Sequence, residues 1–522
     1  MEHSRSVNSM LNLLTGTASR LLQTVLRFVV RTIFIYTLGK AYLGINSYFY
    51  DVLSMLSLAE FGFASAIHFR LYKPLAEKND KRVRVLLKFY KLAYGIVGIS
   101  ILLIGLSLIP FLPVLIKDYD KLSQIGINAP LVFVIYLLQT VSSYLFFAYR
   151  SAVMRANQKK YILDISDFVI TILLNASQIA VLLLWHNYIA YITTAIAFNV
   201  ISNMVKAYIA WRFYPQFFKP EQESLSKEEI KDLFKDCGAI FLYKVNNIVL
   251  KATDNIVIGF FLGMSYVGSY SNYLLFYRIV TGTLSQIYNS VQASMGNLFA
   301  VADIKNKYRF FETMNFLTIV AYGTFASVIA VCVDEIIFVW IGKEYVLAKP
   351  FAILIGIEII FNGIKHNLGQ IRAVSGIFKQ GWFRPIIGMA VNLSVSIALV
   401  QYCGIYGVII GTISADIIAN FLIDPYLIHK HSFQNYKSCL WYYKKNIIYI
   451  SILSVFCFFN VKICEFFFNG HGWWSAIIHV IIVSVSTVSA FLLIYRNTYE
   501  CQYLLMQIKK ILKKLSAKYI AK

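Results

Sequence analysis

The chain has 522 residues, of which 58% are hydrophobic and only 14% are charged, whereas ordinary soluble proteins carry about 25% charged residues. This composition excludes an ordinary soluble protein and indicates that lipid surrounds much of the chain. The formal net charge of +23 does not predict a nucleic-acid partner, because nucleic-acid binding needs a soluble basic face.

The predicted helices follow the apolar runs along the chain, since a membrane span needs about 20 mostly apolar residues. We predict an all-α polytopic membrane protein of about fourteen transmembrane helices, with two pseudo-symmetric six-helix lobes and two C-terminal helices. The lobes cover residues 1–213 and 236–430, joined by a cytoplasmic linker at 214–235; two spans lie in 431–497, and a basic amphipathic cytoplasmic tail covers 498–522. The spans are placed near 10–38, 43–69, 89–115, 128–149, 161–185, 188–211, 236–261, 267–298, 308–333, 349–371, 385–402, 406–428, 446–462 and 473–495.

Lysine and arginine test this arrangement, because cytoplasmic loops of membrane proteins carry an excess of both. With the N-terminus inside, the predicted inner segments hold most of these residues and the outer loops hold few. A miscounted helix would invert every later loop. The charge pattern therefore predicts a multi-pass protein with both termini in the cytoplasm, and residues 1–14 lack the features of a cleavable signal peptide.

A short repeat relates the ends of the first and seventh predicted helices. Residues 38–44 and 262–268 share the pattern L-G-x-x-Y-[LV]-G, 224 residues apart. Both helices are predicted to start in the cytoplasm, so the repeat is parallel, and transporters built from repeats place the substrate site between the halves.

Basic residues lie inside the predicted spans, and some of them recur with the repeat. Arg20, Arg27 and Arg31 share one face of the first helix, since 3.6 residues make a helical turn. A charge at the bilayer centre costs about 2.5–3.5 kcal/mol even on lenient scales, so several together predict a water-filled cationic cavity that attracts phosphate or diphosphate. Snorkelling to the cytoplasmic surface is the alternative for Arg20, and an ion pair is the alternative for Arg27 and Lys251. The candidate substrate-binding residues are Arg27, Arg31, Lys251, Arg278, Lys365, Arg20 and Lys244.

Acidic residues inside the spans are few. Asp254, Glu60 and Asp416 are candidates for proton or sodium coupling, although packing or ion-pair roles explain them equally well. We predict no cofactor and no metal site, because the seven cysteines are scattered without a C-x-x-C pair. The short outer loops offer no paired carboxylates or activated nucleophile, so no catalytic residue is predicted.

Two segments resemble a known family. Residues 251–270, KATDNIVIGFFLGMSYVGSY, resemble the helix 7 to 8 signature of Wzx-type polysaccharide repeat-unit flippases in the multidrug/oligosaccharidyl-lipid/polysaccharide (MOP) exporter superfamily. Residues 44–65, which include Leu58-Ala-Glu60-Phe-Gly62, are similar to the helix 2 region of that family. The resemblance implies two lobes around a central cavity lined by basic residues, which Arg27, Arg31, Lys251, Arg278 and Lys365 would match.

The resemblance also implies a function. Such a protein moves undecaprenyl-diphosphate-linked oligosaccharides for capsule, O-antigen or exopolysaccharide from the cytoplasmic to the outer leaflet of the bacterial inner membrane by alternating access. A polysaccharide polymerase and a chain-length regulator are implied partners, and the lipid bilayer is the surrounding solvent. Two alternatives stay open: another MOP transporter, such as a peptidoglycan or teichoic acid precursor flippase or a drug exporter, and a membrane polysaccharide polymerase, ligase or acyltransferase.

Overall fold

The computed structural model describes residues 5–60, 63–377, 379–467 and 472–506. Within these ranges it leaves out the side chains of 5–21, 59, 63–66, 235–244, 246–247, 250–251, 290, 293–294 and 379. The described residues form helices and connecting turns without a β-strand. This agrees with the predicted all-α class.

The chain divides into two compact units, Met1–Gly268 and Ser269–Lys522. The helices of the first unit are α1 Arg5–Leu38, α2 Lys40–Leu56, α3 Phe63–Ala76, α4 Asp80–Leu108, α5 Leu112–Leu115, α6 Tyr119–Gln124, α7 Ala129–Ser142, α8 Ser151–Ala156, α9 Lys160–Trp185, α10 Tyr188–Phe213 and α11 Lys227–Phe261. Among them α1 packs on α9, α10 packs on α7 and α9, and α11 packs on α2 and α3. The seventh predicted span, which the sequence assigns to the second lobe, thus lies in the first unit. The proposed lobe limits stay a prediction.

The remaining helices are α12 Met264–Val301, which crosses the limit between the units, α13 Ile304–Ile341, α14 Lys349–Ser375, α15 Arg384–Cys403, α16 Ile405–Ala415, α17 Ile423–His431, α18 Cys439–Phe467 and α19 Trp473–Ile494. The second unit is built around α13, which packs against α14, α18 and α19, while α15 packs along α16. A π-helical segment, Asp416–Leu422, separates α16 from α17.

The helix count agrees with the predicted fourteen spans when α2 and α3, α7 and α8, and α16 and α17 are each taken as one interrupted span, with α5 and α6 in a connection. Nine helical segments in the described ranges are long and apolar enough to cross a membrane. The chain is therefore a multi-pass membrane protein.

Several helices begin earlier than the apolar runs predict, because capping residues lie in the polar flanks. α4 begins at Asp80 and not near 89, since the Asn79 side chain accepts a hydrogen bond from the Arg82 amide at 2.9 Å. α11 begins at Lys227, where Ser226 and Glu229 form a capping box. The last residues of the predicted linker 214–235 are consequently helical.

The remaining linker is fixed against the N-terminal turns of α4. Glu221 pairs with Arg84 at 3.0 Å, and Glu229 pairs with Arg82. The ammonium of Lys88 donates to the carbonyl oxygen of Gln222 at 2.9 Å. The Ser226 amide and the Arg82 guanidinium together lower the pKa of the Glu229 carboxyl below its usual value. The linker is therefore an ordered strap on the first unit.

The beginning of the predicted tail is also packed. Glu500 and Cys501 are buried, and the Lys445 ammonium bridges Glu500 to Glu312 of α13. The residues beyond 506 lie outside the described ranges.

The sequence repeat corresponds to two glycine turns that contact each other within the first unit. Gly39 follows α1 with φ +87°, and Gly263 follows α11 with φ +97°, a region that glycine adopts at no steric cost. A Cβ on Gly44 would collide with the carbonyl oxygen of Met264, and a Cβ on Gly268 would collide with that of Lys40. The repeat aligns residue 40 with residue 264 and residue 44 with residue 268. The two close approaches are therefore equivalent, since each turn places its glycine against the same position of the other turn.

We expect Gly44→Ala and Gly268→Ala each to destabilise the protein by about 1–3 kcal/mol, since added carbon in a close-packed contact forces the backbones apart. The measurement is the thermal unfolding midpoint of the purified protein in detergent. Gly95→Ala in α4 is the matched control, because a Cβ there meets nothing within 4 Å. Equal midpoints for all three variants would contradict the close contact.

Candidate functional site

The first unit carries two of the predicted cations on α1. Arg27 is exposed and has no ion-pair partner among the described residues, and Arg31 is partly buried. One turn after Arg31, Phe34 packs edge-on against Tyr191 of α10 with ring centroids 5.0 Å apart. The side chains of Arg20, Lys244 and Lys251 lie outside the described residues, so their predicted roles stay predictions.

Two of the three predicted coupling carboxylates also lie in the first unit. Asp254 is 4% exposed and sits in α11 beside Asn255, whose amide donates to Asp51 of α2. Glu60 lies at the end of the 3-10 turn after α2, where the Tyr94 hydroxyl points to it at 3.5 Å. The two carboxylates thus occupy different surroundings.

The two predicted cations of the second unit differ in exposure and in pairing. Arg278 of α12 is exposed and has no ion-pair partner within the described ranges. Lys365 of α14 instead pairs with Asp416 at 3.1 Å, and this carboxylate is 4% exposed. A predicted substrate cation and a predicted coupling carboxylate therefore neutralise each other.

This pair is one end of a buried ionic network, which we define as Lys365, Asp416, Asn420, Arg384, Asp424 and Arg372. The Asn420 amide donates to Asp416 at 2.6 Å and its carbonyl oxygen accepts from Arg384 at 2.5 Å. Asp424, with none of its surface exposed, pairs with Arg384 at 2.5 Å and with Arg372 at 3.4 Å. Three cations face two carboxylates, which leaves one excess positive charge.

Local helix geometry brings this network together. Asp416, Asn420 and Asp424 recur every four residues, which places them along one face of a helix. The π-helical segment that carries the first two widens the helix there, and such insertions often occur at functional sites. Lys365 and Arg372 are seven residues apart on α14, so both reach the same acidic face.

Comparisons with known proteins identify the family. A family model described as "Polysaccharide biosynthesis protein" matches residues 10–295, which is more than half of the chain. The chain belongs to this polysaccharide biosynthesis protein family. No curated protein matches the sequence.

The fold of this family member is similar to two solved transporter structures. The first is "Lipid II flippase MurJ, inward closed conformation", at a TM-score of 0.67 and 14% identity, covering 93% of this chain and 99% of that one. The second is the inward-facing conformation of a multidrug resistance MATE family transporter of the MOP superfamily, at a TM-score of 0.61 and 11% identity, covering 80% and 96%. The predicted MOP-type fold is thereby confirmed.

Sequence reasoning selected Lys365 and Asp416 but missed the other four residues of the ionic network of this polysaccharide biosynthesis protein. Arg372 and Arg384 lie between the predicted spans 349–371 and 385–402, in a segment predicted to be cytoplasmic, yet they are 8% and 5% exposed. Asp424 was not selected at all. The four-residue spacing of polar residues from Asp416 to Asp424 was the available signal. No group of three or more His, Cys, Asp or Glu side chains suited to a metal ion occurs in the described part of the chain.

Proposed function

We propose that this polysaccharide biosynthesis protein is a flippase for undecaprenyl-diphosphate-linked oligosaccharide repeat units, acting in the bacterial inner membrane by alternating access. The observation that carries the proposal is the exposure of two arginines, Arg27 and Arg278, on helices that the sequence predicts to span the membrane, in a member of this family. A guanidinium without a protein counter-ion in a membrane helix needs water or an anionic ligand.

The chemistry of the substrate fits these cations. The polyprenyl chain stays in lipid, whereas the diphosphate and the sugars need a polar route. Arginine binds phosphate oxygens through two parallel hydrogen bonds, which a lysine ammonium does not do. Arg27, Arg31 and Arg278, together with Lys251 as the sequence predicts, are the residues we assign to the diphosphate.

The coupling of the cycle is part of the proposal. Asp416 is our first candidate, because a proton or sodium ion bound to its carboxylate would release Lys365 and change the net charge of the network by one unit; Asp254 and Glu60 are the others. A proton or sodium gradient would supply the energy. We also propose that both termini are cytoplasmic and that a polysaccharide polymerase and a chain-length regulator act on the exported repeat unit.

A lipid II flippase is the second candidate, because the MurJ-like fold extends over 93% of the chain. Lipid II presents the same polyprenyl diphosphate, so the cations do not distinguish the two substrates. The sugar and peptide portions do.

The test is a transport assay in proteoliposomes that hold the full chain. Undecaprenyl-diphosphate-linked repeat units extracted from cells lacking this protein, or lipid II, are placed in the inner leaflet, and sugar exposure outside is measured with a lectin or an oxidising enzyme. We expect transfer of the repeat unit and slow or no transfer of lipid II. Transfer of lipid II alone would establish the second candidate, and transfer of neither lipid would refute both.

A further inference from the structure

A cavity of about 220 Å³ in the first unit differs in its chemistry from two cavities of the second unit. It lies between α2 and α7, and eight of the nine side chains that line it carry a hydroxyl or an amide. Two cavities of similar size in the second unit, about 310 Å³ and 290 Å³, are lined mainly by aliphatic and aromatic carbon. A concentration of neutral polar groups between membrane helices therefore requires an explanation.

Some donors and acceptors that line this cavity have hydrogen-bonding capacity that the described residues of the protein do not fill. Ser54 and Thr140 donate their hydroxyl protons to carbonyl oxygens of their own helices at 2.8 Å and 3.0 Å, which leaves the hydroxyl oxygens as acceptors. The hydrogen bonds that involve Gln139 use its backbone carbonyl. Its side-chain amide, which offers both donors and an acceptor, has no partner among the described residues.

Aromatic rings complete the lining. Tyr50, Tyr136 and Tyr144 reach the cavity from both helices. Tyr144 packs edge-on against Tyr94 with ring centroids 5.4 Å apart, and the Tyr136 hydroxyl donates to Asn46. Two of the three rings are thus held in place before any ligand arrives, which reduces the entropy lost on binding.

We propose that this cavity binds one uncharged pyranose ring of the transported oligosaccharide, an inference that rests on the proposed flippase function. A pyranose combines apolar C–H faces, which pack on aromatic rings, with hydroxyls that each donate and accept. None of the nine lining side chains is charged, so the cavity does not suit a phosphate. Its volume is below the roughly 300–1,000 Å³ of sites for larger small molecules, which fits one ring.

The wall of the cavity is joined to α1 by packed aromatic residues. α7 packs on α10, the rings of Tyr188 and Tyr191 in α10 stack with centroids 6.5 Å apart, and Tyr191 packs edge-on against Phe34 of α1 with centroids 5.0 Å apart. The helices that form the cavity therefore belong to the same packed group as the helix that carries Arg27 and Arg31.

The test compares two lipids in proteoliposomes. Transfer of the undecaprenyl-diphosphate-linked repeat unit extracted from cells is measured by sugar exposure as above, and transfer of undecaprenyl diphosphate without sugar is measured by the phosphate that a phosphatase added outside releases. We expect Gln139→Leu and Tyr50→Leu to slow transfer of the glycosylated lipid roughly five- to tenfold, the loss expected from one neutral hydrogen bond or one ring contact. Transfer of undecaprenyl diphosphate should change less than about twofold, since no phosphate contact is removed.

Tyr208→Leu in α10 is the matched control, because Tyr50 and Tyr208 are both 62% exposed and neither replacement disturbs a packed core. Equal slowing of both lipids by the cavity variants, or no slowing, would overturn the sugar site while leaving the flippase intact. If the unsubstituted protein moved neither lipid, the proposed function itself would fail, and the sugar site with it.

Discussion

Replacing Asp424 by asparagine should strongly destabilise the second unit. The side chain is fully buried between Arg384 and Arg372, and asparagine would leave both guanidinium groups without their shared counter-ion. Breaking a buried ion pair by removing one partner costs about 3–5 kcal/mol. We expect a fall of roughly 10 °C in the unfolding midpoint in detergent, since 1 kcal/mol shifts a domain of this size by about 2–4 °C.

An exposed ion pair in the same unit supplies the control. The Lys462 ammonium and the Glu465 carboxylate of α18 are 2.8 Å apart, and their side chains are 62% and 61% exposed. Glu465→Gln should therefore change the free energy of unfolding by less than about 1 kcal/mol. A double variant, Asp424→Asn with Arg372→Gln, should recover part of the loss because one unpaired charge is removed with its partner. Similar midpoints for Asp424→Asn and Glu465→Gln would show that the network does not hold this unit together.

The membrane architecture was predictable because lipid imposes one strong rule: backbone polar groups must be satisfied within the helix. Long apolar runs therefore located the spans. Helix ends were less predictable, since Asn79 and Ser226 extend α4 and α11 into polar sequence that carries no hydropathy signal.

The glycine repeat shows a different kind of predictability. Gly39 and Gly263 were aligned from the sequence, and both have positive φ. A backbone conformation that favours glycine can be recognised in the sequence as a repeated glycine. The contact between the two turns cannot be recognised in this way, because residues 44 and 264 are brought together only by the tertiary fold.

The sequence predicts a set of candidate site residues, but it does not predict which of them form ion pairs. Arg278 and Lys365 look alike in the sequence, as basic residues within apolar helices. In the structure Lys365 is paired with a carboxylate 51 residues away, whereas Arg278 is exposed. Helical periodicity places residues on one helix face, but partners on different helices depend on tertiary packing.

This difference leads to the prediction with the largest expected effect on transport. Arg27→Gln and Arg278→Gln should each slow transfer of the undecaprenyl-diphosphate-linked repeat unit by about ten- to a hundredfold. A hydrogen bond to a charged group contributes about 1.5–3 kcal/mol, and 1.4 kcal/mol corresponds to a factor of ten. Because neither arginine has an ion-pair partner among the described residues, the unfolding midpoint should stay within about 2 °C.

Lys343→Gln is the matched control, since Lys343 is an exposed cation in the turn before α14 and should affect neither quantity. Lys365→Gln should behave differently from both arginine variants, because it leaves Asp416 unpaired and so lowers the unfolding midpoint as well as transport. Normal transport in Arg27→Gln and Arg278→Gln would remove the arginines from the substrate path. If transport fell only in proportion to the amount of folded protein, the two arginines would have a structural role. The diphosphate would then have to bind elsewhere.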